Sequence, residues 1–448
     1  MKKIVWGIFL FVLLAVIGGA AYVSMIDWNQ HKDKIAEQFY NSTGKSVSFD
    51  GKVSFRIFPS PYLNAADVKV YNTQDKNELP LLEIKNLVAE LSLGSLLKGE
   101  FEVKKMILDG AVINLDWDNG LNWQSDLSPD QRQQMEDTKM VLNSVSLKDA
   151  VLNFEAREVG IKWHLTKLNG EVAAQSIFGP FRIEGNYLKG NSPEGFAISI
   201  GKLSDSFATT LNMVVTHPQS DSYVRFDGNF YLPNKLVNGN VIIETKKLSD
   251  FINANFDKAN VASDYNTPAV LGFDIVANPQ NLALSNVVIK YGETQGAGEI
   301  QMPLDDLEIP EITTNFNFTD LDLAPFVKLA HQFVNKYKEE AYAPNYGIDL
   351  TGEVKAIRVL YDGQNLKNME MSFGLDNDTF TLDDFSVILP GETVVKLKGM
   401  LYPYDETVYY QAETAISAND LMKTLKWLEI EPKANAASVY KKMLATAK

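Results

Sequence analysis

Between Val47 and Ile57 the apolar residues Val47, Phe49, Val53, Phe55 and Ile57 all take odd positions, with Ser48, Asp50, Lys52, Ser54 and Arg56 between them. A period of two sends alternate side chains to opposite faces of an extended strand, so this stretch reads as half-buried β-structure. Asp50-Gly51 lies between the two halves of the run and predicts a β-hairpin turning there. The same signal returns at Ala66–Val70, Leu87–Leu93 and Val112–Trp117, then at Phe196–Ile200, Tyr223–Tyr231, Val241–Glu244, Leu271–Ala277 and Leu282–Tyr291. It appears again at Asn315–Thr319, Met369–Leu375, Phe380–Leu389 and Val394–Leu401. Roughly twenty such strands are expected, each needing somewhere to put its apolar face. The fold class is therefore mainly β, with antiparallel strands dominating and a few short helices.

A repeat supports that architecture. The segment from Val103 to Leu115 aligns with Leu142 to Phe154, and the apolar positions coincide. A fainter echo pairs Leu284–Ile289 with Leu382–Val387, each followed by Gly-Glu-Thr, at Gly292 and at Gly391. Strand pairs that each bury a face on their neighbours stack into a periodic sheet. Helical spacing is rarer. Trp28, Ile35 and Phe39 predict a short amphipathic helix over residues 29–40, with Gly44 placed for a left-handed stop. Helical inserts are expected near 324–341 and 419–447, the latter as a pair over 419–428 and 436–447.

The chain opens Met1-Lys2-Lys3 and then runs uncharged from Ile4 to Ile26 through Phe9, Leu13 and Ile17. At 1.5 Å per residue that run can cross a hydrocarbon core of about 30 Å. The two lysines favour a cytoplasmic N-terminus. A cleaved signal peptide, with small residues at 18–21, is the alternative, but the apolar stretch outlasts the usual signal core. Either way the body is exported. The expected topology is a single crossing, with the N-terminus in the cytoplasm and the body on the far side of the membrane.

Charge and composition then exclude several classes of function. The 448 residues hold 42 basic and 57 acidic side chains, a net charge of -15, which repels nucleic acid. There is no cysteine, so thiolate chemistry and Cys-ligated metals are excluded. The four histidines lack ligand spacing, and Asp116–Gly120 would need an acid where a calcium loop would place Leu127. Gly292, Gly296 and Gly298 are read as a hairpin turn, because no strand-helix-strand unit surrounds them. No catalytic constellation, metal site or cofactor site is expected, and the chain is read as a non-enzyme.

Several short pieces carry a family resemblance: Ile26-Asp-Trp-Asn, Thr43-Gly44, Phe49 to Phe55, Phe58-Pro-Ser-Pro, Ala66 to Asn72, Leu91 to Val103 and Gly120-Leu-Asn-Trp. In order and spacing this region resembles the N-terminal part of the AsmA family. The positions that carry the likeness are Trp28, Gly44, Gly51, Pro59, Pro61, Asp67, Gly99, Gly110, Asn122 and Trp123. Phe178 to Gly185 and the Gly-Asn pairs at Gly228 and Gly239 resemble the family's middle. The resemblance implies kinship with bridge-like lipid transfer proteins, an inner-membrane anchor and a periplasmic β-groove with an apolar concave face. It also implies a role in moving phospholipid toward the outer membrane and in outer-membrane biogenesis. Longer members carry much more chain, so this is a short member or the front part of a longer one.

The expected organisation is a cytoplasmic tip and anchor over 1–27, an AsmA-like β region over 28–125, and repeated β-groove over 126–448. Val53, Phe55, Ile57, Leu91, Leu93, Ile113 and Leu115 are the candidate groove-lining residues. Phospholipid and the inner membrane are the expected partners, with envelope proteins or further copies completing a bridge. The alternative is a structural or assembly factor for outer-membrane proteins that carries no lipid. A sheet closed into a sandwich would favour it, and an open apolar lining would favour transport.

Overall fold

The computed structural model describes residues 26–57, 60–72, 78–96, 103–116, 142–157, 161–174, 179–202, 204, 208–231, 234–255, 266–304, 311–325, 327, 349–376, 379–404, 407–431 and 443–447. The anchor residues Ile4, Phe9, Leu13 and Ile17 lie outside them, as do Pro59, Gly99, Asn122 and Trp123. Among the described residues no helix is long and apolar enough to cross a membrane. The protein is mainly β, with twenty-two strands and a few short helices among the described residues. The chain divides into two compact units: residues 1–218 with 227–234, and residues 219–226 with 235–448.

In the first unit a 3₁₀ turn over Trp28–His31 leads into α1 (Lys32–Thr43), and Asp27 caps that turn by accepting from the Asn29 backbone N–H. Gly44 ends α1 at φ 66°, donating its N–H to the Tyr40 carbonyl, as its sequence position foretold. The strands follow as β1 (Ser46–Phe49), β2 (Val53–Arg56), β3 (Tyr62–Tyr71), β4 (Leu82–Leu91), β5 (Val103–Asp116), β6 (Leu142–Ala156), β7 (Ile161–Ala174), β8 (Phe181–Lys189), β9 (Ser192–Ile200) and β10 (Ala208–His217). A single turn, α2 (Leu93–Leu96), precedes β5.

Here one sequence expectation is corrected. β1 and β2 do not pair with each other as a hairpin, since both pair antiparallel with β3. They are two parts of one edge strand, interrupted at residues 50–52, where the Asp50 and Gly51 N–H groups donate to the Asp67 and Ala66 carbonyls. Gly51 is needed there for contact rather than for a turn, because a Cβ on it would sit 2.6 Å from the Ala66 carbonyl oxygen. The alternation itself holds across the break, with Val47, Phe49, Val53 and Phe55 opposite Val70, Val68, Ala65 and Leu63.

The remaining pairs of the unit are antiparallel neighbours, except that β5 and β6 run parallel. That parallel register matches the sequence repeat residue for residue, with Met106 opposite Val145 and Leu115 opposite Phe154. Asn114 and Asn153, 39 positions apart, hydrogen-bond across it at 2.8 Å. Asn114 also donates to the Pro80 carbonyl, and His164 meets Asn153 at 2.7 Å, so an amide ladder pins the seam. Positive φ at Asp67, Gly110, Asp149 and Lys167 breaks the regular pairing in β3, β5, β6 and β7. Bulges of this kind bend strands and add twist.

The second unit repeats the scheme. It contains β12 (Leu236–Thr245), α3 (Leu248–Asn255), β13 (Ala269–Asn278), β14 (Asn281–Tyr291), β15 (Thr294–Pro303), β16 (Glu311–Asp322), β17 (Asp349–Tyr361), β18 (Gln364–Asp376), β19 (Thr379–Leu389), β20 (Thr393–Tyr404), β21 (Thr407–Ala418), α4 (Leu421–Trp427) and β22 (Met443–Ala447); β11 (Ser222–Tyr231) runs through the division between the units. All pairs from β12 to β22 are antiparallel neighbours, except for one parallel seam between β16 and β17. Of the expected inserts, residues 324, 325 and 327 are helical and most of the first lies outside the described residues. The second begins with α4 as expected, but Met443–Ala447 is a strand paired with β21 rather than helix. Its small, alternating Met-Leu-Ala-Thr-Ala run fits a ladder as well as a helix face, and the pairing decides.

Candidate functional site

The registers turn the alternation of single strands into rows. In the second unit Val287, Gly298, Phe316, Val354, Met371, Phe385 and Leu397 stand opposite one another in turn from β14 to β20. The row beside it runs Leu284, Ile300, Thr314, Gly352, Phe373, Leu382 and Gly399. The opposite face presents Ala297, Asn317, Lys355, Glu370, Ser386 and Lys396 at the intervening positions. From β16 to β20, five successive strands, one row is thus apolar and the row on the opposite face polar.

An equivalent row crosses the first unit. Phe55, Leu63, Ala89, Met106, Val145, Val172, Ile183, Ile198 and Met213 are successive partners from β2 to β10. At the α1 end the row is covered: Trp28, Ile35, Ala36 and Phe39 pack over a core of Val47, Val53, Ala65, Val68, Ile84 and Leu108. Trp28 and Phe55 stand 5.1 Å apart. Toward β8–β10 the cover ends, and Ile183, Ile198 and Met213 are half-exposed.

The same holds for the second unit, where Phe316, Val354, Met371, Phe385 and Leu397 are all half-exposed. Its buried cluster of Leu321, Ala356, Val359, Leu366, Met369 and Val387 sits toward one end of the strands, with Trp427 of α4 packed against it. Within each unit, among the described residues, strands pair with their ladder neighbours, and the row residues just named keep part of their surface exposed. A typical sandwich would bury that face under another sheet about 10 Å away.

Glycine and phenylalanine shape the floor. A Cβ on Gly296 or Gly298 would sit 2.3–2.4 Å from the rings of Phe318 and Phe316, and one on Gly352 would sit 2.4 Å from Phe373. The rings therefore lie flat over a neighbouring strand's bare backbone instead of standing up into the open face. Gly292 does belong to a turn, as expected for the glycine-rich stretch, whereas Gly296 and Gly298 are strand residues.

Two polar features interrupt the apolar faces. Glu194 of β9 and His217 of β10 form a cross-strand pair at 2.5 Å, with side chains 2% and 6% exposed. Burial pulls the His217 imidazole below its ordinary value, and the Glu194 charge opposes that pull. Tyr187, opposite Glu194, is pushed up by burial and then by the same carboxylate. The second feature is a set of strand-end threonines. Thr245 accepts from the Lys247 N–H at the start of α3, Thr294 accepts from Asp322 N–H, and Thr393 meets Thr424 of α4 at 2.6 Å. Two of them close the Gly-Glu-Thr repeats.

The predicted lining residues separate by environment. Phe55, Ile57, Ile113 and Leu115 are half-exposed, Val53 is buried in the covered end, Leu91 is buried, and Leu93 stands on α2, off the strands. Sequence reasoning passed over Phe316, Phe318 and Phe373 as lining, although the Gly-x-Gly at Gly296 and Gly298 marks where rings can lie. The Glu194–His217 pair was not foreseen, because it depends on the β9–β10 register and no spacing in the sequence marks it. Among the described residues no group of three or more His, Asp or Glu side chains could hold a metal.

Comparison with known proteins accords with this architecture. The AsmA family model matches residues 1–323. Protein AsmA of Escherichia coli (strain K12) is 24% identical over 115 residues, which is 26% of this chain and 18% of that protein. The aligned stretch thus spans under a fifth of that relative's length. No solved structure matches. With the family's profile covering well over half its length, this chain belongs to the AsmA family.

Proposed function

We propose that each apolar face is a groove for phospholipid acyl chains and that the protein contributes to phospholipid movement between the inner and outer membranes of a bacterial envelope. The observation that carries this reading is the run of Phe316, Val354, Met371, Phe385 and Leu397, successive partners over the five strands β16 to β20 and all half-exposed. Large exposed apolar faces on soluble folds mark interaction sites. Each lipid CH₂ taken from water is worth about 0.8 kcal/mol, so an unbroken lining lowers the barrier for a lipid leaving a bilayer. No catalytic group is needed for that. The apolar run of residues 4–26 would hold the protein in the inner membrane, N-terminus in the cytoplasm and body in the periplasm. Envelope proteins or further copies would complete the path.

Photo-crosslinking on the full chain in cells tests this. With a photoreactive phenylalanine analogue at Phe316 or Met371, phospholipid adducts are expected; at Lys355 or Glu370, on the other face, few or none. Adducts that are absent, or equal on both faces, overturn the groove. An alkaline phosphatase fusion after Lys448 is expected to be active, and an inactive fusion of a stable protein would overturn the orientation.

A further inference from the structure

Resting on the groove reading above, we infer that Tyr187, Glu194 and His217 form an acid-operated latch in the first unit. The latch holds the ends of β9 and β10 together while His217 is neutral, and parts when His217 takes a proton, loosening the apolar face beside it.

The placement of these three residues is what calls for a role. Tyr187 and Glu194 are cross-strand partners, and Glu194 meets His217 at 2.5 Å. Glu194 and His217 stand two residues along their strands from the partners Phe196 and Val215, and four from Ile198 and Met213. Side chains at even separations share a face, so an acid and a base lie on the side of the sheet that is otherwise apolar. They are 2% and 6% exposed there. Apolar residues of the same size ordinarily serve a buried place at least as well as an ion pair does.

His217 is also the last residue of β10, one beyond the final ladder pair of Thr216 with Gly195. The pair therefore closes the strand ends, where a local opening needs the fewest broken bonds. Tyr187 and Phe196, with rings 6.1 Å apart, pack against the core of the unit, so an opening at this point reaches the apolar face. Among the described residues the charged groups acting on His217 are Glu194 on β9 and Lys189 on β8, with Tyr187 opposite Glu194. Asp221, further along the chain, is engaged by Lys246 at 2.6 Å. Burial opposes a charged imidazole, Lys189 adds to that opposition, and Glu194 offsets only part of it. A protonated His217 is thus more stable where it can reach water, and acid favours the parted ends.

Hydrogen exchange of the full chain in mild detergent, read by mass spectrometry at pH 7.5 and 5.5 and corrected for the intrinsic pH dependence of exchange, tests the latch without reference to lipid. Amides at the paired ends of β9 and β10 are expected to exchange faster at pH 5.5 by up to about tenfold, while β3 to β5 stay unchanged. That ratio is what an imidazole of ordinary value near 6.5 sets one pH unit below it. His217→Gln should abolish the acid response, whereas Glu194→Gln should keep it, because both break the pair but only one removes the titrating group. An unaltered protein with no acid response, a response spread evenly over the unit, or an equal response in His217→Gln overturns the latch. If a variant fails to fold, the profile of the unaltered protein decides. Native mass spectrometry of retained phospholipid then separates the latch from the groove. Loss at pH 5.5 in the unaltered protein, with retention in His217→Gln, is expected. Acid opening with constant lipid overturns the regulation and leaves the groove standing, and no lipid at either pH overturns the groove itself.

Discussion

At the scale of the residue, this fold depends on side chains that do two things at once. Gly298 forgoes β-propensity so that the Phe316 ring can lie across it. Valine is ordinarily the better strand former. Gly298→Val is nevertheless expected to destabilise the second unit by about 1–3 kcal/mol, because the ring must move off its floor. Urea denaturation measures this, and a midpoint unchanged or raised would refute the packing account. His217 supplies a pH test. Its imidazole is depressed by burial in the fold, so its contribution to stability is present above the unfolded value of about 6.5 and is lost as pH falls below it. The thermal midpoint should drop between pH 7.5 and 5.5, and should drop less in His217→Gln. Equal drops in the two proteins would remove His217 from the account.

At the scale of the element, the ends of strands carry as much information as their middles. Thr424 donates its single hydroxyl proton to the Pro390 carbonyl at 2.6 Å, so Thr393 must be the donor to Thr424. Thr393→Val leaves Thr424 with an unfilled lone pair in a buried place, a loss of about 1 kcal/mol. Faster amide hydrogen exchange confined to α4 is the expected sign; uniform exchange across the unit would point elsewhere. Much of this level was legible beforehand. The Val103 and Leu142 repeat proved to be the register of the β5–β6 seam, and Gly-Glu-Thr marked two of the threonine anchors. What stayed hidden was pairing between segments. Asp50-Gly51 has the chemistry of a hairpin turn, and only β3, passing opposite both halves, makes it an interruption within an edge strand instead. The face of a strand was readable, but whether anything covers that face was not, since a sandwich and a groove require the same alternation.

At the scale of the whole molecule, each unit is an antiparallel meander joined at one parallel seam to another. Charge changes should divide by face accordingly: Val354→Asp is expected to cut co-purifying phospholipid several-fold, while Lys355→Asp, its neighbour on the polar face, leaves it unchanged. Native mass spectrometry reads the difference, and equal losses would contradict two-faced rows. The parallel seam also sets an order of events in time. Asn278 and Asn281 bring β13 and β14 together across two residues, whereas β5 and β6 must close over the 25 residues between Asp116 and Leu142. Closure entropy over that extra length is roughly 2 kcal/mol, so the meanders are expected to zip first and the seam last. Asn153→Ala, which cuts the seam's amide ladder, should then speed unfolding while leaving the folding rate nearly untouched, because its contacts form after the rate-limiting step.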